Sequence, residues 1–436
     1  MLRGTSSVFN VVKENMILSK LPSDFCAKID LPASKSLSNR WLVLSACMDS
    51  NLRLHNLSNA ADTVLMQELL EKILQSKKST DPIEIDCKNA GTVLRFLTAY
   101  LSGTPGKWLL TGDKRLSVRP ISDLVDALRN LDAEISCLNQ SGQLPLMITG
   151  KSEFSKSHAT LNMQRSSQFA SALMLVVSKF SNGLQIDFEG EIISEPYLKM
   201  TTKVLEECGV EVKYSDRSIA LRGTPKCSSE IFIESDWTAA SYFYAFAALS
   251  RTGIIEMENL YSQSLQGDSI VAKWFEELGV ETTFTPTKVR LKKVSKPLPA
   301  ELELDFIDYP DLAQTVAVVC AALNIPARLT GLSSLRDKET DRLQALSEEF
   351  NRIGAKNTIE QSTLILHKHD KLDFSQPIKT YGDHRMAMAF AIFSGLYDFV
   401  EIVFPEVVGK SFPNFWEQIR KIQNKHPIRE TKMRSL

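Results

Sequence analysis

The amino-acid sequence predicts an α/β protein in which one helix-and-strand unit is repeated about six times. Three observations support this prediction: apolar helical segments alternate with short strand-like segments, four segments share one pattern, and the pattern recurs at a nearly even interval. In each of the four, a helix ends at a glycine or a small polar residue, and two strands joined by a polar turn follow. The four segments are 128–148, 205–223, 275–293 and 350–368.

The residue at which each helix ends sets the length of the repeat. These equivalent positions are Asp132, Gly209, Gly279 and Gly354, which lie 77, 70 and 75 residues apart. A chain of 436 residues has room for about six units of this length. The unit is longer than the repeats of solenoid proteins, which favours compact helix-and-sheet subdomains.

Length and composition limit the class of protein. Hydrophobic residues make up 43% of the chain and charged residues 24%, with a net charge of -1, which is typical of a soluble protein with roughly two to four domains. The balanced charge argues against a dedicated nucleic-acid-binding protein. No apolar run approaches the roughly 20 residues of a membrane span. Lys13 and Glu14 precede any apolar run, so no secretory signal and a cytoplasmic location are expected, although a weak organelle signal stays open.

Cofactor and metal motifs are missing from the sequence. The seven cysteines stand singly without a Cys-x-x-Cys pair, which predicts reduced thiols. His367 and His369 have no assignable third ligand, so no metal site is predicted. Neither Gly-Lys-Ser tripeptide has the upstream glycine of a P-loop, and no Gly-x-Gly-x-x-Gly occurs. The sequence therefore disfavours a nucleotide-dependent kinase or a dinucleotide enzyme.

Four polar turns in the first half of the chain each lead into an apolar helix. A helix N-terminus carries free N–H groups and a partial positive charge, so four of them directed at one point would bind an anion. Each turn taken alone is equally typical of a capped helix that faces solvent. The residues concerned are Lys35, Ser36 and Arg40, then Asn89 and Gly91, then Arg119, and finally Ser166, Ser167 and Gln168.

The second half of the chain adds further charges at helix starts. Asp311 directly precedes an apolar helix and could be a simple helix cap. Lys338 and Arg342 lie one helical turn apart and would repel each other unless an anion lies between them. Together the turns hold seven cations in a chain of balanced charge, which predicts a small ligand with several negative charges. Asp311 and Glu339 are the carboxylates in these turns that could transfer a proton. The seven cations are Lys35, Arg40, Arg119, Lys338, Arg342, Arg385 and Lys410.

In this order, the motifs resemble those of the 5-enolpyruvylshikimate-3-phosphate synthase family. One motif alone is weak, but the ordered set is highly specific. The resemblance implies an enzyme that transfers the enolpyruvyl group of phosphoenolpyruvate to the 5-hydroxyl of shikimate-3-phosphate and releases phosphate, on the pathway to chorismate and the aromatic amino acids. The matching segments, between residues 30 and 416, are SKSLSNR, NAGTVLR, RP, SSQ, residues 236–243, PD, LRDKETDR, DHRMAM and KSFP.

The resemblance also implies a fold, a two-domain inside-out α/β barrel of six βαβαββ units with pseudo-threefold domains. Domain I would comprise residues 1–32 and 235–436, including both termini, and domain II residues 33–234. Helix N-termini of both domains would face the cleft between them. The implied protein is a monomer that binds the two small-molecule substrates and needs no cofactor, metal, nucleic acid or membrane. The order of the first twenty residues stays open.

Residue roles follow from the resemblance as expectations. Asp311 would accept the proton of the 5-hydroxyl, Glu339 would donate a proton to the enol methylene, and Lys35 would be the third catalytic residue. Ser334 stands where the family commonly has asparagine, which leaves one phosphate contact open. The shikimate-3-phosphate contacts would be Lys35, Ser36, Arg40, Ser166, Ser167, Gln168, Ser194, Tyr197, Asp311 and Lys338. The phosphoenolpyruvate contacts would be Lys35, Asn89, Gly91, Arg119, Gln168, Arg342, Arg385 and Lys410.

Two alternatives remain at this point. The sister family that transfers enolpyruvyl to UDP-N-acetylglucosamine resembles this sequence, but it carries a cysteine before its Arg-Pro, and the loop 111–120 has none. The other alternative is a non-catalytic protein that binds a phosphorylated ligand on the same scaffold. The presence of both Asp311 and Glu339 argues against it.

Overall fold

The computed structural model describes residues 15–48, 52–76, 81–140, 142–227 and 230–423. The order of the first twenty residues was left open by the sequence, and residues 1–14 lie outside these ranges. The strands are β1 Met16–Leu18, β2 Cys26–Ile29, β3 Arg53–His55, β4 Ile83–Asp86, β5 Gly106–Thr111, β6 Glu134–Cys137, β7 Leu146–Gly150, β8 His158–Asn162, β9 Leu184–Glu189, β10 Glu211–Ser215, β11 Ser218–Arg222, β12 Glu230–Phe232, β13 Ile254–Glu258, β14 Val280–Phe284, β15 Lys288–Lys293, β16 Leu302–Asp305, β17 Ala327–Thr330, β18 Asn357–Glu360, β19 Thr363–Leu366 and β20 Val400–Ile402.

Most of the helices connect these strands. They are α1 Lys35–Cys47, α2 Ala61–Gln75, α3 Gly91–Ser102, α4 Lys114–Ser117, α5 Ser122–Asn130, α6 Gln168–Leu175, α7 Glu195–Glu207, α8 Trp237–Leu249, α9 Val271–Glu276, α10 Ala313–Ala322, α11 Arg342–Ile353, α12 His384–Ala391 and α13 Phe415–Gln423. Short 3₁₀ helices lie at Val177–Lys179, Gly267–Ile270, Pro310–Leu312, Ser333–Asp337, Ile392–Gly395 and Pro405–Lys410.

Four sheets share one topology. In each, a parallel pair of strands is extended by an antiparallel hairpin, and the second hairpin strand lies next to the pair. The strand orders are β4-β5-β7-β6, β8-β9-β11-β10, β2-β13-β15-β14 and β16-β17-β19-β18. Two further sheets, β3-β12 and β1-β20, have two strands each. The mixed α/β class is thus confirmed, whereas the described residues show four complete βαβαββ sheets rather than six, and no sheet among them closes into a barrel.

The four repeated segments form the hairpins of these four sheets. Their strands pair antiparallel, as the sequence predicts. The equivalent residues Asp132, Gly209, Gly279 and Gly354 have φ values of 77, 74, 73 and 83°. This left-handed conformation ends each helix and favours glycine. At Asp132, the side chain instead accepts hydrogen bonds from Lys151 (2.6 Å) and Ser155 (2.7 Å).

Two hydrophobic cores divide the described chain. One, in what we call the central half, is built from residues between Ala33 and Ile233. The other, in the terminal half, is built from residues 18–29 and 237–422. Apolar helices fill both cores: every residue of α8 and α10 is buried, whereas β5, β9 and β13 alternate between buried and more exposed residues. The helices therefore lie inside and the sheets outside.

The chain crosses between the halves twice, and the two crossings lie side by side. The amide of Ser34 donates to the carbonyl of Glu234 (2.8 Å), and the amide of Asp236 donates to the carbonyl of Pro32 (2.9 Å). These two adjacent crossings are the covalent connections between the halves. Rotation of one half relative to the other about this point would therefore change the rest of the interface without breaking the chain.

The prediction of seven reduced cysteines is wrong at two positions. Cys208 and Cys227 form a disulfide, with Cα atoms 4.3 Å apart, while Cys47, Cys87, Cys137 and Cys320 keep free thiols. Cys208 follows α7, and its carbonyl accepts a hydrogen bond from the amide of Lys226 at 2.7 Å. This backbone contact brings the two side chains together, which their separation of 19 residues does not reveal.

Within the described ranges, the structure contains no helix with both the length and the apolar character needed to span a membrane.

Candidate active site

Helix starts from both halves meet at the cleft between them. From the central half come the N-termini of α1, α3, α6 and α7, and from the terminal half the turns that precede α10, α11 and α12. Ser34, Asp341 and Asp383 cap α1, α11 and α12 with their side chains. These caps satisfy some of the free N–H groups and set the direction in which each helix begins.

Two adjoining cavities occupy this cleft. The first, which we call the guanidinium cavity, is lined by Lys35, Asp62, Gly91, Thr92, Arg119, Gln168, Asp311, Lys338, Glu339, Arg342, His384 and Arg385. The second, the hydroxyl cavity, is lined by Lys35, Ser36, Thr92, Arg165, Ser166, Ser167, Gln168, Ile193, Ser194, Tyr197, Pro310, Asp311, Ser334 and Lys338. Both cavities share five residues, which lie where two ligands would meet: Lys35, Thr92, Gln168, Asp311 and Lys338.

Most of the residues predicted from the sequence line these two cavities, but three do not. Arg40 lies behind the wall, where its Nη1 donates to the carbonyl of Ser36 (2.9 Å) and its Nη2 to the carbonyl of Tyr197 (3.0 Å). Lys410 and Asn89 lie behind the guanidinium cavity. Lys410 Nζ donates to the carbonyl and to Oδ1 of Asn89, both at 3.0 Å, and thereby joins the two halves.

Asp311 lies at the junction of the cavities among three donors. Tyr197 donates its hydroxyl hydrogen to Asp311 Oδ2 (2.9 Å), and Arg342 Nη1 and Arg385 Nη2 lie 3.1 and 2.8 Å from its carboxylate oxygens. Burial alone would raise the pKa of Asp311, but the charges of Arg385, Lys338 and Arg342 outweigh burial and hold this pKa well below its usual range. Asp311 is therefore ionised, and bound anions that offset these charges would make it a stronger proton acceptor.

Glu339 contacts two cations, which set its protonation in the ligand-free site. Arg342 Nη2 lies 2.8 Å from Oε2, and Lys410 Nζ lies 3.1 Å from Oε1. Burial alone would raise the pKa of Glu339, but Lys410, Arg342 and Arg119 hold it well below the ordinary value. An anion bound among these cations would offset their charge, so it would raise the pKa of Glu339 again.

Arg342 connects the carboxylates of the site. Its guanidinium pairs with Asp311, with Glu339 and with Asp383, whose Oδ2 lies 2.7 Å from Nε. The side chains of Arg342 and Asp383 are 2% and 0% exposed. Burial alone would lower the pKa of Arg342, but Asp383 and Glu339 raise it, so this guanidinium stays charged.

Gly91 allows a close approach between α3 and Arg119. A Cβ atom at Gly91 would lie 2.8 Å from Arg119 Cζ, closer than real Cβ contacts, so alanine would displace the guanidinium. Next to it, Arg95 Nη1 donates to Gln168 Oε1 (2.8 Å), and Arg95 Nη2 donates to the carbonyl of Pro120 (3.1 Å). The start of α3 thus leaves room for Arg119 at Gly91 and fixes Gln168 through Arg95.

Several cavity residues were missed by the sequence-based site prediction. Asp62 lies in the first turn of α2, with Oδ2 3.4 Å from Lys35 Nζ. His384 is 1% exposed, and its ring nitrogens make no hydrogen bond, although Nδ1 lies 3.5 Å from Asp383 Oδ1. Thr92 and Arg165 adjoin predicted residues in the sequence, which is the one signal that could have identified them. In the described part of the chain, no group of acidic residues, histidines and cysteines could hold a metal ion.

Comparisons with known proteins point to one family. The family model described as EPSP synthase (3-phosphoshikimate 1-carboxyvinyltransferase) matches residues 20–419. A 3-phosphoshikimate 1-carboxyvinyltransferase of Bacteroides fragilis (strain YCH46) is 43% identical over 408 residues, which cover 93% of this chain and 97% of the relative. The chloroplastic 3-phosphoshikimate 1-carboxyvinyltransferase 1 of Nicotiana tabacum is 32% identical, over 96% of this chain and 87% of the relative. Among solved structures, the EPSP synthase of Acinetobacter baumannii has a TM-score of 0.72 at 21% identity, over 94% of this chain and 99% of that one.

Proposed function

The chain belongs to the EPSP synthase family, and we propose that the two adjoining cavities carry out the reaction of that family with the residue roles given below. The chain is a 3-phosphoshikimate 1-carboxyvinyltransferase. It moves the enolpyruvyl group of phosphoenolpyruvate to the 5-hydroxyl of shikimate-3-phosphate and releases phosphate. The observation that supports the roles is the junction itself, where Asp311 and Lys338 line both cavities.

Shikimate-3-phosphate is proposed to occupy the hydroxyl cavity. Ser166 and Ser167 precede α6 there, and Ser194 begins α7 with a left-handed backbone (φ 56°). Serine hydroxyls and a helix N-terminus suit a phosphate, and Lys338 adds a cation. The remaining members of the proposed set are Lys35, Ser36, Arg40, Gln168, Tyr197 and Asp311, with Arg40 acting through the backbone of Ser36.

Phosphoenolpyruvate is proposed to occupy the guanidinium cavity. Arg119, Arg342 and Arg385 offer planar donor pairs that match a carboxylate or a phosphate. Lys35, Gly91 and Gln168 complete the wall, and Asn89 and Lys410 support it from behind. The two ligands would meet next to Asp311, with the acceptor hydroxyl toward C2 of phosphoenolpyruvate.

The chemistry then needs one base and one acid. Asp311 accepts the proton of the 5-hydroxyl while the oxygen attacks C2, and Glu339 donates a proton to C3, so that a tetrahedral ketal phosphate forms. The C–O bond to phosphate then breaks, and C3 returns its proton to Glu339. The departing phosphate takes up the proton that Asp311 accepted, so that an enol ether and inorganic hydrogen phosphate leave and both carboxyl groups are restored. Glu339 has to be protonated for the first step, and the anionic substrates provide for this because their charge offsets that of Lys410 and Arg342.

The domain division is part of this proposal. We place residues 1–32 and 235–436 in domain I and residues 33–234 in domain II. Each domain would have helices inside and sheets outside, in three units related by pseudo-threefold symmetry, of which two contain a four-stranded sheet and one a two-stranded sheet. The two separate cores and the paired crossings support this division. Closure of the domains would exclude water, which could otherwise attack C2 in place of the 5-hydroxyl. A cytoplasmic monomer is the expected form.

The experiment that tests the function is a coupled phosphate assay. We expect phosphate release when shikimate-3-phosphate and phosphoenolpyruvate are both present, without added metal, because the reaction breaks a C–O bond and leaves the P–O bonds intact. Each substrate alone, and phosphoenolpyruvate with UDP-N-acetylglucosamine, should give none. Binding of the substrates without phosphate release would favour a non-catalytic protein instead.

Lys338 predicts a pH dependence of binding. Burial lowers the pKa of Lys338 from 10.5 to about 8, and a bound phosphate would raise it again. Above pH 8 the free enzyme therefore has to take up a proton on binding, so affinity for shikimate-3-phosphate should fall by up to about tenfold per pH unit. Below pH 8 this contribution should be constant, because Lys338 is already protonated in the free enzyme; near pH 6 the phosphate itself begins to titrate.

Titration calorimetry at pH values below and above 8 would measure this effect. Lys338→Arg is the matched variant, because arginine keeps its charge at these pH values and should remove the decline. A wild-type affinity that is independent of pH above 8 would contradict the prediction.

A further inference from the structure

Arg115 joins the two halves of the molecule but lines neither cavity. It lies in α4, in the central half, and contacts the backbone of the terminal half. Its Nη2 donates to the carbonyl of Lys338 at 2.8 Å, and its Nε lies 3.3 Å from that carbonyl and 3.1 Å from the carbonyl of Glu339. One guanidinium thus contacts the main chain of two successive residues. In the proposed reaction, Lys338 binds the phosphate of shikimate-3-phosphate and Glu339 donates a proton.

The segment that Arg115 contacts is irregular, and an ion pair between Arg336 and Asp341 (3.0 Å) holds its two ends. Lys338 and Glu339 lie between the 3₁₀ helix Ser333–Asp337 and α11, outside regular structure. Within the ranges that the structure describes, Arg115 is the residue that donates hydrogen bonds to these two carbonyls. A charged donor makes a stronger hydrogen bond to a carbonyl than a neutral one does. Without Arg115, the position of these two carbonyls would depend on the side-chain pairs of Glu339 and on the Arg336–Asp341 pair at the ends of the segment.

The loop that carries Arg115 also carries a residue of the guanidinium cavity. Asp113 caps α4 by accepting from the amide of Leu116 (2.7 Å), and the amide of Arg119 donates to the carbonyl of Leu116 (3.1 Å). Hydrogen bonds within this loop therefore hold Arg115 and Arg119 in a fixed relation. Arg115 contacts the backbone of the terminal half, and Arg119 lines the guanidinium cavity. Movement of this loop on closure would bring both into place together.

We propose that Arg115 is a positioning residue that fixes the Lys338–Glu339 segment in its reactive position when the two halves close. The proposal rests on the proposed function for the roles of Lys338 and Glu339. Because Arg115 lies in the opposite half, its hydrogen bonds form only in the closed arrangement, so the proton donor is aligned only after the cleft has shut. Closure and alignment are thereby coupled, which is how induced fit protects a reactive intermediate from water.

The test compares Arg115→Met, Arg115→Lys and the wild type. Arg115→Met should lower kcat by about 10²-fold, the effect of a small misplacement of a reacting group, while the KM for shikimate-3-phosphate rises by a much smaller factor, because Lys338 is one of several contacts proposed for that substrate. Arg115→Lys should recover part of the loss, because an ammonium can still reach one carbonyl. Arg251→Met is the matched control: Arg251 is exposed and bonded to Asp24 in the terminal half, so its loss should leave kcat unchanged.

A second measurement is independent of turnover. Hydrogen exchange of the peptide 332–343 in the presence of shikimate-3-phosphate should be slower in the wild type than in Arg115→Met. Equal exchange in the two proteins would overturn the proposal whatever the activity. A kcat loss matched by equal losses of substrate affinity and thermal stability would also overturn it, since that pattern indicates a merely structural contact. Slower exchange in a wild type that releases no phosphate would instead refute the proposed function and leave the positioning contact standing.

Discussion

Replacement of Glu339 by glutamine should lower turnover by about 10²–10⁴, the usual contribution of general acid–base catalysis. Glutamine keeps the shape of the side chain but cannot donate the proton that C3 of phosphoenolpyruvate requires. Glu339 accepts contacts from Arg342 (2.8 Å) and Lys410 (3.1 Å), and a glutamine oxygen can still accept from one of them. Binding of shikimate-3-phosphate, measured by titration calorimetry, should therefore be retained.

The control for this variant is Glu348→Gln, on α11. Glu348 lies in α11, the helix that follows Glu339 in the chain, and accepts hydrogen bonds from Gln344 and Tyr381 outside both cavities. The turnover of Glu348→Gln should therefore match that of the wild type. Unchanged turnover in Glu339→Gln would remove Glu339 from the mechanism. Loss of shikimate-3-phosphate binding would assign it a structural role instead.

Replacement of Arg342 by methionine should cost about 3–5 kcal/mol of unfolding free energy as well as activity, because removal of one partner leaves buried charges without compensation. Arg342 is 2% exposed and pairs with three carboxylates. Methionine fills much of the volume but leaves Asp383, which is fully buried, without its closest cation. Urea unfolding, followed by circular dichroism, would measure the loss.

Arg328→Met provides the control for Arg342→Met. Arg328 pairs with Glu360 at 3.5 Å on the surface, and loss of such a pair costs at most about 1 kcal/mol. The cost of Arg342→Met should shrink as the pH falls, since the carboxylates whose pKa values the arginine depresses become protonated in the variant and no longer need a cation. A cost equal to that of Arg328→Met at neutral pH would contradict the charge balance described for the site.

The sequence predicted the elements of the site better than their arrangement. Local patterns were sufficient to identify several helix starts, because a polar turn followed by an apolar helical segment can be recognised from neighbouring residues alone. These helix starts include Lys35, Gly91, Gln168 and Arg342. The same patterns placed Arg40 among the cations of these helix starts, and the family resemblance implied that it contacts shikimate-3-phosphate. In the structure its donors are taken up by Ser36, Thr201 and Tyr197, residues that the fold brings from α1 and α7.

Some residues of the site carry no local signal. Asp62 is one acidic residue in the first turn of an ordinary amphipathic helix, and Asp383 is an ordinary cap. Their contacts with Lys35 and Arg342 connect residues 27 and 41 positions apart. Arg115 lies 223 residues from its carbonyl acceptor. Such pairs are formed by packing of helices against one another, which no local pattern encodes.

By itself, the sequence determined that the chain is a repeated α/β protein with glycine or aspartate at the left-handed end of four helices, and that its cations gather at helix starts. These features are decided by backbone conformation and by side-chain hydrogen bonds between near neighbours, so they are readable from short segments. The folded chain alone reveals that two cores form, that Cys208 pairs with Cys227, and that the helix starts of both halves meet around Asp311 and Arg342. The physical reason is that burial and Coulomb interactions act between residues close in space, and distance along the chain does not set distance in the fold.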